Sequence, residues 1–202
     1  MLSGSHRVTL LDFAGFGESE EPNTVYGVPD YASDVVSLLK SLEIESATLV
    51  GHSFGGRVAL EISAKYPQIA KRLALVDSAG LKPRRGLKYY FKVGLHKILR
   101  KIGLKGLKGS SDYRILSPVM RETFKRVVNY DQTYLLSEIK CPTAIFWGDK
   151  DRDTPKYMAK KFNKYIADSS IFWLIGGHFA YAEDSRKFIS ILSAFIKPTT
   201  LE

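Results

Sequence analysis

Several stretches of this chain are apolar from end to end, among them Thr143–Gly148 (TAIFWG) and most of Ile171–Gly176 (IFWLIG) and Arg72–Asp77 (RLALVD). A strand with one wet face alternates apolar and polar residues, so a run that does not alternate needs cover on both faces. Segments with apolar residues at spacings of three and four lie between these runs. In one, Pro29 suits an opening helical turn, and Tyr31, Val35, Leu38, Leu39 and Leu42 share a face. Another runs from about Phe54 to Tyr66 and stops at Pro67. A third opens near Pro155, and a last one spans Phe179 to Ile196. Arg7–Asp12 (RVTLLD) reads as a further strand before a glycine turn, and Ala47–Gly51 (ATLVG) as another. Strand and helix in alternation predict an α/β fold, a mostly parallel sheet with flanking helices.

One region breaks the alternation. Residues 81–140 read as an insert between two parts of a core, 1–80 and 141–202. Within it, Leu87, Tyr90, Phe91, Leu95, Ile98, Leu99 and Ile102 fall on one helical face and lysines and arginines largely on the other; a second helix is expected over Pro118–Asn129. Ten Lys and Arg residues lie between Lys82 and Lys108 with no acid among them, whereas the whole chain of 202 residues carries a net charge of +9. The remainder is therefore close to neutral, and the charge belongs to the insert. A basic amphipathic helix suits an anionic membrane surface or an acidic substrate, or it forms a cap with a solvated outer face. No recognition motif accompanies the charge, which argues against nucleic acid.

Other classes are excluded more simply. Cys141 is the sole cysteine, so no internal disulfide framework exists. The four histidines (His6, His52, His96 and His178) show no metal-ligand spacing, and no cofactor is expected. No apolar run reaches the roughly 18 residues of a membrane span. The first residues, MLSGSHRVTLLDFAG, lack the pattern of a signal peptide, so a cytoplasmic location is expected. The sequence leaves oligomeric state open.

The chemistry concentrates around ATLVGHSFGGRVAL. A Gly-x-Ser-x-Gly string is weak alone, but here an apolar strand precedes it and a helical pattern follows. A sharp strand-to-helix turn lifts a serine hydroxyl clear of a sheet, and it requires small neighbours; Gly51, Gly55 and Gly56 supply them. A hydroxyl at Ser53 needs a base within hydrogen-bond reach. His178 is the best placed, because the loop beyond a parallel strand opens onto the same sheet edge. His52 adjoins Ser53 but points away at such a turn, and is expected to pack or hydrogen-bond nearby. An imidazole base needs an acid to fix its tautomer. The turn WGDKDRDTP offers Asp149, Asp151 and Asp153, and Asp77 is a further candidate. Asp153, just ahead of Pro155, fits a helix-capping role best.

Taken together, these residues resemble the α/β-hydrolase family. LLDFAGFGES resembles its D-x-x-G-x-G-x-S segment after the fourth strand, GHSFGG its nucleophile elbow, WGDKD its acid turn and GGHF its histidine loop. The resemblance implies Ser53 as nucleophile, Asp151 as acid, His178 as base and the backbone N–H of Phe54 as one oxyanion donor. It implies no metal, a small-molecule acyl substrate, and a cap at the position of the insert. The similarity begins at the family's fourth strand, so it implies an N-terminally truncated fold without the first three strands and the second oxyanion donor. RVTLLD would otherwise pair directly with ATLVG. The expected function is hydrolysis of carboxylic esters or related acyl compounds. The same features fit a carbon–carbon bond hydrolase, an acyltransferase or a catalytically impaired homologue that only binds a ligand.

Overall fold

The computed structural model describes residues 4–82 and 116–197. The helix expected over Leu87–Ile102, His96 and nearly all of the basic stretch lie outside these residues. Four parallel strands form one sheet in the order β1 (Ala47–His52), β2 (Ala70–Val76), β3 (Thr143–Gly148) and β4 (Ser169–Leu174). The helices are α1 (Val28–Ser41), α2 (Phe54–Lys65), α3 (Pro118–Asn129), α4 (Tyr157–Tyr165), α5 (Ala180–Glu183) and α6 (Ser185–Ile196), with a short 3₁₀ turn over Thr133–Glu138.

The unbroken apolar strands are explained by two covering layers. Leu73 and Leu75 of β2, with Ile145 and Trp147 of β3, point to one face, where Leu60 of α2 and Phe162 of α4 meet them. Their neighbours Ala74, Val76, Ala144 and Phe146 point to the other face, against Leu192 and Phe188 of α6. Every residue of β3 is buried. A fully buried large apolar side chain contributes about 1.5–3 kcal/mol, so this central pair of strands anchors the fold. Helix α1 packs Tyr31, Val35 and Leu39 against Val58 and Ile62 of α2. Among the described residues no helix is long and apolar enough to cross a membrane.

Two expectations change. Arg7–Asp12 forms no strand and does not pair with β1; Leu10 is 90% exposed and Val8 48%. A β-branched and leucine-rich run becomes a strand only when another strand satisfies its backbone groups, and none among the described residues does so. The segment meets α1 and α2 through Phe13, by ring contacts to Tyr31 and Phe54. Accordingly β1 forms one end of the four-stranded sheet, and its Val50 is 52% exposed. Secondly, the expected last helix is two. Asp184 separates α5 from α6 and turns its carboxylate to accept the Ile175 N–H at 3.1 Å.

Helix α3 spans the predicted Pro118–Asn129, with the Ser117 hydroxyl accepting the Met120 N–H at 3.2 Å as its cap. Beyond it, the end of the insert merges with the core. Leu136 and Ile139 lie in the same buried cluster as Leu60 and Leu73. The Gln132 side chain, fully buried, donates to the Arg57 carbonyl at 2.8 Å, and Arg57 donates to the Tyr130 carbonyl at 2.7 Å. These bonds tie the return path of the insert to α2, the helix that follows Ser53.

Candidate active site

The C-terminal ends of β1, β3 and β4 deliver the three side chains singled out by sequence to one place. Ser53 sits between β1 and α2 with φ 49° and ψ −110°, a left-handed backbone that a non-glycine residue adopts only under constraint. The constraint is visible. Its N–H donates to the Val76 carbonyl at 3.1 Å, and its carbonyl accepts the N–H groups of Gly56 and Ala79 at 3.2 and 3.0 Å. Close approach does the rest: a Cβ on Gly51 would lie 2.5 Å from the Gly55 carbonyl oxygen, and one on Gly56 2.0 Å from Ser78 Oγ. Gly55 differs, since a Cβ there would meet only the Phe13 ring at 3.9 Å.

The acid turn follows β3. A Cβ on Gly148 would stand 2.1 Å from the Gly177 carbonyl, so the acid and histidine loops touch backbone to backbone. Asp149 N–H donates to the Leu174 carbonyl and Lys150 N–H to the Gly176 carbonyl, at 2.9 and 2.8 Å. The Asp149 carboxylate, on the outside, accepts the Gly176 N–H at 3.0 Å, which holds its pKa below the usual range. Asp151 turns inward. Its Oδ1 accepts the N–H groups of Asp153 and Thr154 at 2.8 and 3.1 Å, and its Oδ2 accepts the Thr154 hydroxyl at 2.5 Å. Burial acts to raise its pKa, but the bonds from His178, Thr154 and the turn's N–H groups outweigh burial and lower it.

The helix-capping role expected of Asp153 is therefore not taken up by it. Asp153 is exposed and α4 begins only at Tyr157 without a side-chain cap. The reason is direction: the carboxylate two residues earlier points into the turn and takes its N–H groups.

His178 joins the two halves. Its Nδ1 lies 2.9 Å from Asp151 Oδ2 and its Nε2 2.9 Å from Ser53 Oγ. An ionised carboxylate only accepts, so Nδ1 carries the proton and Nε2 is left free to accept the serine O–H. The Asp151 side chain is wholly buried and that of His178 is 14% exposed, so the pair is shielded while the serine end stays reachable. Phe54 is the first residue of α2, and an N–H at that position has no carbonyl one turn earlier to accept it. That donor is free for an oxyanion.

His52 does hydrogen-bond nearby. Its Nε2 donates to the backbone carbonyl of His178 at 2.7 Å, and its ring packs against Phe179 and Tyr181. Burial pushes its pKa down, which keeps the imidazole neutral with the proton on Nε2. Three supports were not singled out from sequence: Thr154, Glu183 and Asp184. Glu183 accepts the Gly177 N–H at 3.1 Å. A signal existed for the last two, as acids placed five and six residues after a Gly-Gly-His loop. His6 hydrogen-bonds its chain neighbour Ser5 at 2.8 Å. Among the described residues one trio, Asp151, Asp153 and His178, is close enough to hold a metal ion. Two of its members already spend their site-facing atoms on Thr154, Ser53 and each other, so the donor set fits a proton relay better than an ion.

Residues 2–94 match the model of the alpha/beta hydrolase fold. The fold is that of the alpha/beta hydrolases. A curated Mycobacterium tuberculosis relative of uncharacterised function is 28% identical over 240 residues, covering 96% of this chain and 69% of the relative. The 2-hydroxymuconate semialdehyde hydrolase of a Pseudomonas species is 43% identical over 81 residues, 40% of this chain and 29% of that enzyme. Among solved structures, an esterase from Exiguobacterium antarcticum superposes with a TM-score of 0.72 at 23% identity, covering 93% of this chain and 80% of the esterase.

Proposed function

We propose that this α/β-hydrolase acts on carboxylic esters or related acyl substrates through Ser53, His178 and Asp151. The observation that carries the reading is the unbroken relay from Ser53 Oγ through both ring nitrogens of His178 to Asp151. In the first half-reaction, Ser53 Oγ attacks the carbonyl carbon and its proton passes to His178 Nε2. The negative oxygen that forms is held by the Phe54 N–H, and Asp151 stabilises the imidazolium. The tetrahedral species collapses as the alcohol leaves with the proton from Nε2. Water then repeats the sequence on the acyl-serine and releases the acid. Asp151 remains ionised throughout, as its lowered pKa requires.

An activated phosphonate should label Ser53 covalently, and Ser53→Ala should remove both the label and p-nitrophenyl acetate turnover, which falls by about a millionfold. Label that persists in Ser53→Ala would take this serine out of the mechanism.

A second reading, carbon–carbon bond hydrolysis, is favoured by the Pseudomonas relative, whose name specifies a semialdehyde substrate. The same serine and histidine would serve it. Turnover of 2-hydroxymuconate semialdehyde faster than that of p-nitrophenyl acetate would select this reading over ester hydrolysis.

A further inference from the structure

A second carboxyl group lies beside Asp151. Asp77, at the end of β2, is 0% exposed, and its φ of 41° marks a backbone held in the left-handed region. Its Oδ1 accepts the Gly148 N–H at 2.7 Å, at the point where β3 becomes the turn carrying Asp151. Its backbone carbonyl meets the Thr154 hydroxyl at 3.2 Å, the same hydroxyl that reaches Asp151 Oδ2. Its other oxygen, Oδ2, is buried with no donor facing it. What Asp77 does face is Asp151, itself an acceptor occupied by His178 and Thr154. Two carboxyl groups can share a dry site only when one of them carries a proton. The environments decide which. Asp151 has three hydrogen bonds from within its turn and a fourth from His178, whereas Asp77 has one.

We propose that Asp77 is a positioning residue for Asp151: buried as a neutral carboxylic acid, it pins the start of the acid turn through Gly148 and keeps its own proton on the oxygen that faces the Asp151 carboxylate. The proposal rests on the triad reading above, but the protonation state of Asp77 can be measured without it. Burial, then the Asp151 charge and, more weakly, that of Glu183 hold the Asp77 carboxyl at about 7, against the single opposing bond from Gly148. Those groups, together with Thr154 at the turn, are the ones that face it from β3, the acid turn and α5. The linkage sign follows. The folded pKa is raised above the unfolded one, so the stabilisation from this proton is complete below about 4 and lost as pH climbs through about 7. Above that, two anions face each other in the site and the turn holding Asp151 must yield.

The test uses the full chain and Asp77→Asn, because asparagine tolerates a positive φ and keeps a neutral donor of the same shape. Carbon-13 NMR of the aspartate carboxyls should show one group in the wild type that loses its proton near neutrality and is missing from Asp77→Asn. Phosphonate labelling should run within about threefold of wild type in the variant at about pH 6. The ratio of variant to wild-type rates should then rise at least about threefold by about pH 8.5, since only the wild type acquires the second charge. A merely structural Asp77 would leave that ratio flat. A flat or falling ratio, or an Asp77 carboxyl that titrates in the ordinary aspartate range, overturns the proposal. If wild type is not labelled at any pH, the hydrolase reading fails instead. The carboxyl titration then decides Asp77 alone: a proton lost near neutrality supports its role, one lost near 4 ends it.

Discussion

The two flanks of the candidate site are held in different ways. On the serine flank, position is set by shape. Ser53 is forced into a left-handed backbone, and the neighbouring β1, α2 and Ser78 come so close that a single added carbon at Gly51 or Gly56 has no room. On the acid and histidine flank, position is set by hydrogen bonds. Asp151 is gripped by the turn it belongs to, His178 by the His52 ring on its carbonyl, and the Gly177 and Ile175 amides by Glu183 and Asp184. The division has a chemical logic. A nucleophile must present one atom at one place and carries no charge at rest, so steric constraint suffices. A histidine must be held while its charge changes, and only polar partners can both orient it and compensate that charge.

With the Ser53 hydroxyl left in place, the largest expected effect falls on the polar flank. Asp151→Asn keeps the shape of the side chain but presents an amide N–H where an acceptor is needed, so His178 takes the wrong tautomer. Labelling of Ser53 should drop by about ten-thousandfold, with the fold intact by circular dichroism. A loss of only a fewfold would mean that Asp77 or the turn orients His178 without Asp151.

The steric flank should fail differently. Gly51→Ala puts a methyl group 2.5 Å from the Gly55 carbonyl, and neither backbone can retreat without moving Ser53. Overpacking of this kind costs about 1–3 kcal/mol. The expected result is a lowered unfolding midpoint in urea together with slower labelling, whereas Asp151→Asn slows labelling alone. Gly55→Ala is the built-in contrast, because its added carbon meets only a ring at 3.9 Å. Equal destabilisation by the two alanines would show that packing space does not set the elbow.

This contrast also explains what the sequence could and could not disclose. Shape constraints are local in sequence, and the elbow was legible from glycines either side of Ser53. The strand Thr143–Gly148 was legible for the same reason, as an apolar run needing cover on both faces. Arg7–Asp12 was misjudged because strand propensity describes one chain segment, while a strand requires a partner that propensity does not report. The tail of the insert was equally opaque. Leu136 and Ile139 join a core that includes Leu60 and Leu73, more than sixty positions earlier, and nothing in their spacing says so. The polar flank depends on direction. Asp149, Asp151 and Asp153 are equivalent by composition, and the residues alone left the choice among them open until a family likeness selected one.

The smallest effect tests that choice most sharply. Of the three aspartates, Asp153 is exposed and contributes only its backbone N–H to the turn, which the Asp151 carboxylate accepts. Asp153→Asn leaves that N–H in place and removes a charge facing solvent, so labelling should stay within about twofold of wild type and thermal stability should be unchanged within error. Two residues away, the same chemical substitution at Asp151 is expected to cost about four orders of magnitude. A large loss at Asp153 would mean that its carboxylate swings inward toward His178 during turnover, where the two groups already lie within 4.8 Å through their ligand atoms. The division between a flank held by shape and one held by a fixed set of hydrogen bonds would then give way to one in which the acid turn exchanges partners.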